Sequence, residues 1–213
     1  MQESADYVDM KMMQKAINRV LFRALEGKID SKEEQWNIAV HEAGHVAIAM
    51  AVDPDSIASV SIIPQGRAKG RVRMAYDEDL TESVEEVENR IIIALGGTLA
   101  EECVLGKRYL SSGGDMDQAK MLLSMLLLGI GAYGIEFAGN SSPRGAEMSP
   151  AKQERADRIY DEKIREFYSR GRQIIEANRD FVERVAALLV ERSLLSKEEL
   201  LELYAEVKGK TAA

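Results

Sequence analysis

The segment SKEEQWNIAVHEAGHVAIAMAV, residues 31–52, opens with a helix-start signal and holds both histidines of the chain. Ser31 followed by Glu34 is a capping box: hydroxyl and carboxylate each satisfy a backbone N–H that a first helical turn leaves without a partner. A helix is therefore predicted from about Lys32 to Val52, carrying Trp36, Val40, His41 and His45, with Asp53, Pro54 and Asp55 to stop it. His41 and His45 stand about one turn apart, so their imidazoles leave the helix on one face.

Upstream, Met10, Met13, Ile17, Val20, Leu21 and Ala24 recur at helical spacing, and Gly27 can end that helix. Downstream the period changes. Residues 59–63 and 71–76 are rich in β-formers and flank a turn containing Gly66 and Gly70, which reads as a hairpin with a long loop. Val72, Met74 and Tyr76 alternate with Arg71, Arg73 and Ala75, so one face of the second strand is expected to be buried. No other strand pair is convincing. Ser83 with Glu86 is another capping box, and Val84, Val87, Ile91, Leu95 and Leu99 carry a helical stripe to about Leu105. Gly96 and Gly97 inside it cost about 1 kcal/mol each relative to alanine, which points to close packing against a neighbour. Ser111, Ser112, Gly113 and Gly114 read as a loop, followed by a helix from about Met116 to Ile130. Residues 134–148 lack periodicity and read as a mobile loop. Ser149 and Pro150 open a long helix to about Asn178, and Asp180 with Glu183 and Ser196 with Glu199 cap two shorter ones. The fold class expected is mainly α, with one small β-hairpin or sheet after the HEAGH helix, and neither internal repeat nor linker.

Composition narrows the function. The 213 residues are enough to bury a substantial core, and 46% apolar with only 6% aromatic residues suits helices cored by Leu, Ile, Val, Ala and Met. A formal charge of −8 argues against a broad nucleic-acid-binding face. Arg67, Lys69, Arg71 and Arg73 form the only dense basic patch, and read as a solvated hairpin. The single cysteine, Cys103, excludes an internal disulfide and suits a reducing compartment; in a helical stretch with no histidine nearby it reads as a small core residue. There is no signal peptide, and the longest apolar run, residues 121–132, is too short to span a bilayer, so the chain reads as soluble.

His41-Glu42-Ala43-Gly44-His45 is an H-E-x-x-H motif on a predicted helix, and these are the only two histidines present. Neutral imidazole is a good ligand for Zn²⁺, and a catalytic zinc needs three protein ligands and an open position. Water on such an ion loses its proton readily, and Glu42, one position along, can accept it. The third ligand must then be a carboxylate or cysteine. Asp115 and Asp117 open a helix after a glycine pair; Asp115 with Gln118 matches a capping pair, whereas Asp117 has no such obligation. Glu101 and Glu102 compete, and spacing alone does not decide.

Four linked motifs carry a resemblance. His41 to His45, then Ser61-Ile62-Ile63-Pro64-Gln65-Gly66-Arg67-Ala68-Lys69-Gly70, then Gly96-Gly97-Thr98-Leu99-Ala100-Glu101-Glu102, then Ser111-Ser112-Gly113-Gly114-Asp115-Met116-Asp117 together resemble the peptidase domain of the FtsH family of membrane-anchored AAA proteases. The resemblance covers nearly the whole chain. It implies zinc bound by His41, His45 and Asp117, with Glu42 as catalytic base, in a mainly helical endopeptidase acting on unfolded or membrane proteins. It implies substrate binding by strand addition along the strand of Gly70, Val72 and Met74, homohexameric assembly, and a parent protein at the cytoplasmic face of a membrane, anchored by segments absent here. Residues 1–213 then form one peptidase domain: a junction helix (1–30), a metal-site half with the hairpin (31–148) and C-terminal helices (149–213). No Gly-x-x-x-x-Gly-Lys-Ser/Thr loop occurs, so the family's ATPase module lies outside this chain, which reads as an excised domain or a motor-less paralogue. Val40 in place of tyrosine, Thr98 in place of arginine and the poor match of residues 128–137 mark a divergent member. Two alternatives differ in class or context: a non-catalytic, zinc-stabilised assembly module, and a standalone soluble metallopeptidase.

Overall fold

The computed structural model describes residues 31–64, 70–74, 81–110, 113–135 and 149–211. The helix expected around Met10 to Ala24, the hairpin turn at Gly66, Ser111 with Ser112, and most of the loop before Ser149 lie outside these residues.

Helix α1 (Lys32–Val52) is the centre of the molecule. Ala39, Val40, Ala43, Val46, Ala47, Ile48 and Ala49 are all fully buried. A helix apolar on every side must be wrapped by others, and α1 packs against α2 (Val84–Ala100), α4 (Pro150–Ala177) and α5 (Arg179–Arg192). Its start is as expected, with Ser31 Oγ accepting from Glu34 N–H at 3.0 Å. The box at Ser83 is complete: Ser83 N–H donates to Glu86 Oε2 and Glu86 N–H to Ser83 Oγ. Beyond Ala100, α2 continues as a π turn, Glu101–Leu105, which ends at Gly106 in the left-handed region (φ 65°). Helix α3 (Gly113–Ser124) begins three residues before the expected Met116 and runs into a second π turn, Met125–Gly129.

Among the described residues the sheet has three strands rather than two. β1 (Ile57–Ser61) pairs antiparallel with β2 (Arg71–Met74), as expected, and also with β3 (Leu194–Ser196), giving the order β2-β1-β3. Val60 faces Val72 on one side and Leu195 on the other. β3 is reached from α5 through Ser193 (φ 65°), whose carbonyl accepts from Ile62 N–H and Ser61 Oγ–H, each at 3.0 Å. Helix α6 (Lys197–Thr211) follows, capped reciprocally by Ser196 and Glu199. No helix among the described residues is long and apolar enough to cross a membrane.

Candidate metal centre

The site forms where α1 crosses α2. Gly44 and Gly96 meet at the crossing: a Cβ on either would overlap the other's backbone. That explains one half of the double glycine, and His41 explains the other, because a Cβ on Gly97 would occupy the His41 ring. Backbones this close bring the motif face of α1 onto the C-terminal half of α2.

Each imidazole is fixed by its Nδ1. His45 Nδ1–H donates to the Ile93 carbonyl at 2.7 Å, and His41 Nδ1–H to Glu101 Oε1 at 2.9 Å. A carbonyl and a carboxylate only accept, so in the neutral rings both Nε2 atoms carry bare lone pairs. Those nitrogens lie 3.2 Å apart, and Asp115 Oδ2 sits 3.0 Å from that of His41 and 3.6 Å from that of His45. Three electron-rich atoms converging in a half-buried place repel one another unless a cation lies between them. A proton is one solution: burial disfavours charge on His41, yet hydrogen bonds to Asp115 and Glu101 and the nearby Glu42 charge outweigh it, raising its pKa to about 10. Burial likewise opposes ionisation of Asp115, and the two histidines overcome it, holding the carboxyl well below the usual carboxylate range. A divalent ion is the other solution. Zinc bonds of about 2.0–2.1 Å in a tetrahedron set donor atoms about 3.3 Å apart, close to the spacings found, so the residues fit this metal. His41, His45 and Asp115 are the one such group among the described residues.

The aspartate brought to the histidines is therefore Asp115 and not Asp117. Asp117 turns outward, its side chain 81% exposed and 3.6 Å from Lys120 Nζ. The start of α3 at Gly113 accounts for this, because Asp115 is already inside the first turn and is not its cap. Of the competing glutamates, Glu101 holds His41 without joining the group. Only 1% exposed, it accepts from His41 on one oxygen and from Tyr109 N–H (3.0 Å) on the other. The sequence held one signal for it: Glu101 lies one turn beyond Gly97, on the same face. Glu102 points away, into an ion cluster with Arg108, Arg172 and the Tyr168 hydroxyl. Cys103 is half-buried against the core, where burial pushes its thiol pKa up.

Glu42 is 6% exposed, and burial raises its carboxyl pKa against the pull of His45 and His41; a hydrogen bond from the Val72 backbone also acts to lower it. Gly70 lies against this carboxylate so closely that a Cβ there would overlap it. A cleft of about 1090 Å³ opens over the site, with the first turns of α1 on one side and Gly70, Val72 and Met74 of the β2 segment on the other.

Residues 28–203 match Peptidase family M41. The chain is 29% identical over 220 residues to the ATP-dependent zinc metalloprotease FtsH of Magnetococcus marinus, covering 96% of this chain and 33% of that protein. It is 28% identical over 225 residues to ATP-dependent zinc metalloprotease FtsH 3 of Synechocystis, covering 96% of this chain and 36% of that one. With FtsH 3 of Sorangium cellulosum the identity is 32% over 204 residues, 93% of this chain and 33% of the relative. The chain thus spans about a third of the length of these curated relatives.

Proposed function

The chain belongs to Peptidase family M41, and from that premise we propose that it is a zinc-dependent endopeptidase module whose ligands are His41, His45 and Asp115 and whose general base is Glu42. The observation that carries the reading is the convergence of two Nε2 lone pairs and one carboxylate oxygen within 3.6 Å of one another. A bound zinc supplies Lewis acidity toward water and the scissile carbonyl. Glu42 takes the proton of the attacking water and hands it to the leaving amine, a role suited to a carboxylate whose pKa burial has raised. Glu101 and the Ile93 carbonyl hold the two imidazoles in the tautomer that leaves Nε2 free. The substrate lies extended along β2, whose outer edge borders the cleft.

We extend the reading to the whole protein by likeness: residues 1–213 are one peptidase domain, assembled as a homohexamer and driven by an AAA ATPase module outside this chain, at the cytoplasmic face of a membrane. Unfolded and membrane proteins are then its substrates. Replacing Glu42 by Gln tests the chemistry. The variant is expected to keep stoichiometric zinc and to cleave casein slower by about 10²–10⁴-fold. Cleavage at the wild-type rate would remove Glu42 from the mechanism, and absence of zinc from the wild type would remove the metal.

A further inference from the structure

Among the described residues β2 is an end strand of the sheet, and it borders the cleft. Strand alternation divides its side chains. Val72 and Met74 are half-buried against the core, while Arg71 and Arg73 are exposed on the opposite face. Among the described residues neither of these guanidiniums has an ion-pair partner. A pair of arginines on a hairpin is ordinarily a solvated face, but these two border the cleft that holds the candidate metal centre.

We propose that Arg71 and Arg73 select extended substrate segments in which acidic side chains alternate with apolar ones, paired to the outer edge of β2. The proposal rests on the reading of the cleft as a peptidase site. Residues two apart in a strand are about 6.8 Å apart on one face, and a paired strand repeats at the same spacing, so two acidic side chains at alternate positions meet both guanidiniums at once. The intervening side chains fall on the face of Val72 and Met74 and are apolar for that reason. Uniformly acidic segments are disfavoured, because Glu33 and Glu34 of α1 line the facing wall. The two arginines repel each other until acids arrive, and the exposed geometry makes the selection sensitive to salt.

Three labelled ten-residue peptides decide it: Glu alternating with Val, Lys alternating with Val, and the same Glu and Val residues in two blocks. Cleavage is measured with the zinc-loaded protein, and binding by fluorescence anisotropy with the Glu42→Gln variant. The alternating Glu peptide is expected to lead both others by about 3- to 10-fold at low salt, and to lose that lead near 1 M salt. In Arg71→Glu with Arg73→Glu the order of the Glu and Lys alternating peptides is expected to invert, which loss of folding would not produce. Equal binding of alternating and blocked peptides, or an order unchanged in the charge-reversed variant, overturns the proposal. Should no peptide be cleaved while the binding order holds and inverts as stated, the peptidase reading fails and the selectivity stands.

Discussion

Two residues along a helix is a rotation of about 200°, and that angle separates Asp115 from Asp117. Only one of them can face α1, and the backbone gives the place to Asp115. Asp115→Asn is therefore expected to lower zinc affinity by at least about 100-fold in a chelator competition titration, since it removes a ligand charge. Asp117→Asn should stay within about twofold of wild type, because its present partner is an exposed lysine. Equal losses in both variants would mean that α3 sits in another register. That His41, Glu42 and His45 share one place was legible in the sequence, because one turn of helix fixes their relation. Which aspartate faces them was not: a cap and an inward-facing residue of a first turn carry the same side chain and differ only in where the helix begins. Glu101 and Glu102 are indistinguishable as letters, and the π turn they open sends one to His41 and the other to Arg172.

Elements that announced themselves did so through local chemistry. Ser31, Ser83 and Ser196 each satisfy N–H groups of the helix that follows, so three helix starts followed from side chains within one turn. β3 carried no such mark. Three residues cannot display an alternation, and Leu194 to Ser196 becomes a strand because the left-handed Ser193 turns its carbonyl back onto β1. The double glycine in α2 was readable as a packing signal but not as to its partner. That partner is now testable. Gly97→Ala would gain about 1 kcal/mol of helix propensity and must then displace the His41 ring. Zinc affinity should fall about 10–100-fold, the range for disturbing a ligand's support, although the substitution touches no ligand bond. Unchanged affinity, measured by the same titration, would mean that the ring has room the packing denies it.

At the scale of the molecule, two arrangements share one helix: a core wrapped round α1 and a candidate metal centre on its cleft face. The core does not run through this site: the buried apolar residues of α1 pack on α2, α4, α5 and the sheet. Metal removal should therefore loosen the site without unfolding the chain, unlike a small zinc module that has no other core. Zinc at about 1,000 times its dissociation constant stabilises the folded state by about 4 kcal/mol. For a chain of this size that corresponds to roughly 8–16 °C in Tm. Chelation is expected to lower the melting temperature by that amount while the far-ultraviolet circular dichroism at 25 °C stays helical, and added zinc should restore it. The same melt on Asp115→Asn should show about a third of that shift or less, because a loss of about 100-fold leaves zinc at only about 10 times the dissociation constant. A chelated protein that lost its helical signal outright would make the metal a structural staple and favour the non-catalytic reading of the site. Retention of structure with a reversible shift would put the ion outside the core at an open cleft, where the proposed reaction needs a free coordination position.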